Sequence, residues 1–292
     1  MNLALFGRTV TDSMLPYLQE FILHLEALSE STLIYKPFYD MLDGRIHFAK
    51  APAFFLQDAD LHGKADFICT IGGDGTILDA ATLTVNSRIP IFGINMGRLG
   101  FLSSISKDEI IPAMEDIYAK KYTLENRTLL HLHGQENLFG GFPYALNELT
   151  IHKSDLQTML TIRTYINDEF LNSYWADGLI VSTPTGSTAY SLSCTGPIVT
   201  PGSENFVITP IASHNLTVRP IVIRDDTTIK IFVEGYGEDF FVAMDSRKEK
   251  VKSGMELIIT KADFSVRLVR FPGHHFFKTI REKLNWGLDA RN

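Results

Sequence analysis

The run TIGGDGTIL, residues 70–78, sets one carboxylate, Asp74, among three glycines, Gly72, Gly73 and Gly75, with the hydroxyl of Thr76 beside them. Glycines without a Cβ let backbone N–H groups approach a polyphosphate closely, and the N-terminus of a following helix favours negative charge. A carboxylate in that setting is repelled by phosphate unless it holds a divalent cation or accepts a proton. The loop lacks the lysine of GxxxxGK[ST] and the spacing of GxGxxG, so neither the P-loop nor the dinucleotide fingerprint applies. A plainer reading stays open: Gly-Asp-Gly as a tight turn with Asp74 capping the helix, a task Thr76 can also perform.

A second run, ADGLIVSTPTGSTAYSLSCTGPIVTP, residues 176–201, ends a strand in a turn rich in hydroxyls and free of long charged side chains. Ser187, Thr188 and the local backbone can donate to phosphate or ribose oxygens. Tyr190 offers a ring on which a base can stack and a hydroxyl donor. The alternative is a β-turn and short helix with Tyr190 in the core.

Elements must hold these runs. Up to about residue 120 the chain alternates compact apolar runs (NLALFG, TLIYK, DFICTI, IPIFGIN) with stretches of helical spacing at 10–28, 77–85 and 107–119. Strands alternating with helices imply βαβ units and a mostly parallel sheet, which puts the glycine loop at the carboxyl end of a strand, where such sheets bind ligands. From about Tyr122 short β-rich runs follow (LTIHK, LTIRTYI, GLIVST, NFVITPIA, TIKIFVE, FFVAM, ELIITK), divided by Gly, Asn, Asp and Pro, as in a β-dominated domain. The last stretch, FFKTIREKLNW, returns to helical spacing with Phe277, Ile280 and Leu284 on one face. The expected fold is therefore α/β plus β: an α/β domain over 1–122, a β-rich domain over 123–273, and a tail, 274–292, packing back on the first domain.

Composition narrows the function. With 45% apolar residues in 292, the chain can bury a sizeable core. Its 27 basic and 34 acidic side chains leave −7, which points to neither a nucleic-acid nor a membrane partner. Cys69 and Cys194 have no metal-binding spacing and read as small buried residues. His152, His214, His274 and His275 are not spaced as a metal site, and no metal-ligating set is expected; only His275, near the tail, is a candidate to reach the loop. The basic run 246–254 reads as a solvated hairpin. The start, MNLALFGRTV, has no signal-peptide pattern, and no apolar run approaches the roughly 18 residues of a membrane span. A cytoplasmic protein is expected.

GGDGT at 72–76, NMGRLGFL at 95–102, LNELTIHK at 146–153, DGLIVSTPTGSTAY at 177–190 and SHNLTVRPIVI at 213–223 together resemble the NAD kinases, in that family's order and over most of the chain. GGDGT alone is shared with lipid kinases and, in related form, with 6-phosphofructokinases; the TPTGSTAY block is far more specific. The resemblance implies transfer of the terminal phosphate of ATP, or another phosphoryl donor, to the adenosine 2′-hydroxyl of NAD, forming NADP. It makes Asp74 the base for that hydroxyl. A ribose hydroxyl holds its proton far more tightly than a carboxylate does, so Asp74 would orient it and accept the proton late, as a loose phosphoryl-transfer transition state permits. Gly72, Gly73, Gly75 and Thr76 would shape the phosphate loop. Asn147 would meet an adenine edge, Glu148 a ribose hydroxyl, and Asp177 would add a polar contact. Thr185, Ser187, Thr188, Ala189 and Tyr190 would form the adenosine-contacting block. Mg²⁺ or another divalent cation would enter with ATP, held by phosphates and water rather than a protein cage. A homodimer or homotetramer is implied as well.

Three departures stand out. Trp175 occupies a position where many bacterial relatives carry a basic residue, which leaves the choice between NAD and NADH open. Cys194-Thr195 replaces Ala-Gly, and Asp245-Ser246-Arg247 replaces an Asp-Gly-Gln hairpin. Three rival readings compete with it: a lipid kinase, which leaves TPTGSTAY unexplained; an NAD sensor, which an intact Asp74 argues against; and a structural oligomer subunit, which the hydroxyl-rich loop disfavours.

Overall fold

A computed structural model describes residues 1–28, 32–134, 138–154, 159–234 and 239–287. The end of the expected tail, 288–292, lies outside the described residues. The chain divides into two compact units, Met1–Asn126 with Val266–Asn292, and Arg127–Ser265.

The first unit contains β1 (Leu3–Gly7), α1 (Leu15–Leu28), β2 (Thr32–Tyr35), α2 (Lys36–Leu42), β3 (Ala53–Phe55), α3 (Asp58–Leu61), β4 (Phe67–Ile71), α4 (Asp74–Ala81), β5 (Ile91–Asn95), β6 (Ile105–Ser106) and α5 (Ile110–Tyr118). Strands pair in the order β5-β4-β1-β2-β3, every neighbouring pair parallel, and β6 joins β5 in the same sense. Every residue of β1, β4 and β5 is buried. A parallel sheet covered on both faces needs such unbroken apolar strands, which is why LALFG, FICTI and IFGIN stand out in the sequence. Helix α1 buries Leu18, Phe21, Ile22 and Leu25, and α5 buries Ile110, Ala113, Met114 and Ile117, the 3–4 spacing of an amphipathic helix. These side chains join Leu5, Phe38, Cys69 and Ile94 in one core.

The helix predicted from Ile77 begins at Asp74, because Gly73 takes the extended N-cap conformation. The helix predicted from Lys107 opens as a 3-10 turn, Lys107–Glu109, in which Glu109 accepts from the Ser106 N–H at 2.9 Å and its hydroxyl at 2.7 Å.

The second unit holds the greater part of β7 (Thr123–His133), then β8 (Tyr144–Ala145), β9 (Glu148–Lys153), β10 (Leu160–Ile166), β11 (Glu169–Ala176), β12 (Gly178–Ser182), α6 (Tyr190–Ser193), β13 (Asn205–Ile211), β14 (Ile221–Arg224), β15 (Ile229–Glu234), β16 (Phe240–Met244), β17 (Arg247–Val251) and the start of β18 (Glu256–Arg270). One antiparallel sheet runs β14-β13-β12-β9-β16-β17, and β11-β10-β15-β18 are neighbours in the other. Alternating burial along β15 and β16 turns one face of each inward. Leu149, Ile151, Val181, Phe206 and Val242 from the first sheet meet Ile162, Ile231 and Ile259 from the second in one core. The basic run forms the second strand of the β16–β17 hairpin, with Arg247 and Lys248 near its turn.

Beyond Ser265, β18 belongs to the first unit, where Leu268 pairs in parallel with Ile91 of β5. It leads to α7 (Phe276–Leu284). The stripe seen in the sequence is not the buried one: Ile280 is buried, but Phe277 is 61% exposed and Leu284 is exposed as well. The inward line runs instead through Phe276, Thr279 and Ile280, with the Phe276 ring 6.4 Å from that of Phe101. That rotation carries Lys283, one turn further on, toward Asp74. Among the described residues no helix is long and apolar enough to cross a membrane.

Candidate active site

In the first unit, β4 ends in the glycine loop and α4 starts at its aspartate. The Gly72 N–H donates to the Ile94 carbonyl at 2.9 Å, the Gly72 carbonyl accepts from the Ser103 hydroxyl at 3.0 Å, and the Thr76 N–H donates to the Gly73 carbonyl at 3.0 Å. Gly75 lies in the first turn of α4. The capping alternative for Asp74 does not hold, because its carboxylate reaches across to residues 101–103. Oδ2 accepts the Phe101 N–H at 2.8 Å; Oδ1 accepts those of Leu102 and Ser103 at 3.0 and 2.9 Å. Gly100 permits this approach, since a Cβ there would stand 1.9 Å from Oδ1. Lys283 Nζ lies 3.6 Å from Oδ2 and 4.8 Å from the centre of the Phe101 ring. Asp74 therefore joins the glycine loop, the 100–103 loop and α7.

In the second unit, Asn147 and Glu148 stand at the start of β9, next to the turn after β12. The Thr183 N–H donates to the Asn147 carbonyl at 2.9 Å, and the Thr183 hydroxyl donates to the Leu146 carbonyl at 2.6 Å. A Cβ on Gly186 would come within 2.1 Å of the Asn147 carbonyl oxygen, so the turn can lie this close only with glycine there. Gly186→Ala is expected to destabilise the fold by about 2–4 kcal/mol, because backbone stands in the way and cannot rotate aside. Urea titration of the two chains measures this as a lower midpoint.

The turn's hydroxyls are mostly turned inward. Ser187 is fully buried; its hydroxyl donates to the Pro184 carbonyl at 2.7 Å and accepts the Val199 N–H at 3.0 Å. Thr185 accepts from Arg127 at 3.1 Å, and Thr188 donates to the Thr185 carbonyl at 3.2 Å. Ala189, half-buried, precedes α6. Tyr190 is 39% exposed, so the core placement considered for it is excluded. Asp177 forms an ion pair with Lys153 at 2.5 Å, a partner the sequence did not indicate. Trp175 is exposed, with the His214 ring 4.3 Å away.

Asn147 Oδ1 and Glu148 Oε2 are buried with no hydrogen-bond partner among the described residues. Native folds rarely leave buried polar atoms unsatisfied, doing so costs about 1–3 kcal/mol each, and these two belong to consecutive residues beside the 183–190 turn. Burial raises the Glu148 carboxyl to about 8; the nearby Asp245 carboxylate adds to the rise, and a hydrogen bond from the Tyr190 backbone N–H opposes it.

Asp245 is the residue sequence reasoning passed over. It sits in the β16–β17 turn with a left-handed φ of 54°. Its Oδ2 accepts the Leu146 N–H at 2.8 Å, and Oδ1 accepts the N–H groups of Asn147 and Glu148 at 2.8 and 3.2 Å. The departure from Asp-Gly-Gln and the basic run after it pointed to this hairpin, but neither pointed to the bonds Asp245 makes.

A parallel α/β sheet carrying a Gly-Asp-Gly loop, together with a β unit presenting unpartnered polar groups beside a hydroxyl-rich turn, defines a nucleotide-binding phosphotransferase class. Two family profiles match: the ATP-NAD kinase N-terminal domain over residues 50–122 and the ATP-NAD kinase C-terminal domain over 146–271. The chain is 45% identical to a NAD kinase of Cytophaga hutchinsonii over 100% of both chains, and 42% identical to one of Bacteroides fragilis, again over 100% of both. Among solved structures, a yeast NADH kinase complexed with NADH superposes with a TM-score of 0.88 at 23% identity, covering 100% of this chain and 89% of that one. An Archaeoglobus fulgidus NAD kinase in complex with ATP gives 0.72 at 24% identity, covering 98% and 99%. The chain belongs to the NAD kinase family.

Proposed function

We propose that this chain phosphorylates the adenosine 2′-hydroxyl of NAD at the expense of ATP or another phosphoryl donor, with Asp74 receiving the hydroxyl proton. The observation that carries the reading is the pair of unpartnered buried atoms on Asn147 and Glu148: an amide oxygen able to accept from an adenine amino group beside a carboxyl able to bind a ribose hydroxyl. Tyr190 supplies an exposed ring for the base, and the 185–190 turn closes over Asn147. Asp177, already paired with Lys153, contributes a polar rim.

On the donor side, the glycine loop and the first turn of α4 offer N–H groups to phosphate oxygens. Among the described residues no group of three His, Cys, Asp or Glu side chains is placed to hold a metal. We assign the divalent cation, Mg²⁺ by preference, to phosphate oxygens and water, where it neutralises donor charge. The domain reading that goes with this function gives 1–122 to the phosphate loop, 123–273 to dinucleotide binding, and the tail from 274 to the first domain. A homodimer or homotetramer working in the cytoplasm completes the proposal.

The test is enzymatic formation of NADP, followed with an NADP-specific dehydrogenase. With NAD, ATP and Mg²⁺ the chain is expected to form NADP, and excess EDTA should abolish it. Parallel arms with NADH and with polyphosphate define the acceptor and donor range. A folded chain that makes no phosphorylated dinucleotide in any arm overturns the reading and leaves an NAD-binding sensor in its place.

A further inference from the structure

We propose that Asp245 is a positioning residue of the acceptor site: its carboxylate fixes the backbone of Leu146–Glu148 so that Asn147 and Glu148 meet the dinucleotide with unpartnered polar atoms. The proposal rests on the assignment of Asn147 and Glu148 to the acceptor.

The geometry is specific. Asp245 lies at the tip of the hairpin formed by β16 and β17, and β16 pairs with β9 through Met244 and Leu149. The strand ladder thus ends beside Glu148, and Asp245 continues it with side-chain bonds to three consecutive N–H groups. Its own N–H donates to the Glu148 carbonyl at 3.1 Å. Three donors converging on one carboxylate hold a segment far more firmly than a lone strand end. Asp245 also keeps a positive φ, a conformation that non-glycine residues adopt rarely and that clusters where function demands it.

The same placement sets charge. Asp245 and Glu148 are like charges, and Asp245 raises the proton affinity of Glu148. Burial itself raises the Asp245 carboxyl, while the three N–H groups and Arg247 draw it down. The other groups acting on Glu148 are its own burial and the Tyr190 N–H. A ribose hydroxyl donates to Glu148 best when the carboxylate is ionised, so NAD affinity should climb as pH rises through about 8.

The experiment measures NAD affinity by calorimetry from pH 6 to 9.5 in the natural chain, Asp245→Asn and Glu148→Gln, with the Michaelis constant for ATP as a control. Asparagine tolerates the positive φ but offers one acceptor oxygen in place of two. At pH 9, where Glu148 is ionised in both chains, Asp245→Asn should bind NAD about tenfold more weakly. The midpoint of its pH dependence should also move to lower pH, while the ATP constant stays within about twofold. Glu148→Gln should show no midpoint at all. If Asp245→Asn fails to fold, Asp245→Glu replaces it: retained charge keeps a midpoint near that of the natural chain, and the displaced carboxylate weakens NAD. Asp245→Asn binding as the natural chain does, or weakening without a midpoint shift, overturns the proposal, as does Asp245→Glu with unchanged affinity. Failure of the natural chain to form NADP would instead sink the functional reading beneath it.

Discussion

Asp74→Asn is expected to slow NADP formation by about two to four orders of magnitude, the usual contribution of a positioned proton acceptor, while NAD still binds. The substitution removes the group that receives the proton, and it also disturbs that group's surroundings. Both carboxylate oxygens accept N–H groups: Phe101 on Oδ2, Leu102 and Ser103 on Oδ1. An amide has one acceptor oxygen, so in either orientation its NH₂ confronts a backbone N–H. The 100–103 loop should loosen and Lys283 should lose its ionic partner. Single-turnover rates report the chemistry, calorimetry with NAD reports acceptor binding, and faster amide exchange at 101–103 reports the loop. A variant within about threefold of the natural single-turnover rate would remove Asp74 from proton transfer.

Glu148→Gln should trade function for stability. Burial raises the folded pKa of the carboxyl to about 8 from its ordinary value of 4.5. Because the folded value lies above the unfolded one, its contribution to stability is fully present below about pH 4.5 and is lost as pH rises through 8. The ionised, buried group therefore penalises the fold at alkaline pH by an amount on the order of 3–5 kcal/mol. Glutamine carries no such charge. Glu148→Gln is thus expected to melt about 5 °C or more above the natural chain at pH 9 and close to it at pH 5. In the same variant at pH 9, where the natural carboxylate is ionised, NAD binding should weaken about ten- to a hundredfold, the value of a hydrogen bond to a charged acceptor. Scanning calorimetry at the two pH values provides the check; equal melting shifts at both would mean that Glu148 does not hold its proton in the fold.

The first unit's strands were legible because sheet burial on both faces forces unbroken apolar runs, whereas Asp74 stood out only with the other motifs beside it, since Gly-Asp-Gly alone reads equally well as a tight turn. Helix α2 was not legible. Its seven residues, KPFYDML, follow β2 without a break, and only the proline near its start marks a helix. The orientation of α7 was not legible because Phe277, Ile280 and Leu284 satisfy helical spacing as well as the buried line through Phe276, Thr279 and Ile280 does. Spacing finds a stripe; the neighbouring ring of Phe101 decides which one is buried. Asp245 and Lys283 were invisible for a different reason. Their partners, the 146–148 backbone and Asp74, are remote in sequence, and no local pattern encodes a hydrogen bond that strand register creates. Ser187 illustrates the converse, since a hydroxyl in a turn reads equally well as a ligand donor or, as here, a bond that holds the turn itself.

The path of β18 has a consequence for how the chain matures. Leu268 lies beside Ile91 in a parallel sheet, and β6 covers only the Ile94–Asn95 end of that edge, so in the nascent first unit the Ile91 end of β5 stays unfilled until almost the whole polypeptide has left the ribosome. An exposed β5 edge during that wait is a template for mispairing with other chains. Synthesis that stops short of residue 266 would leave the Ile91 end of that edge without its partner strand.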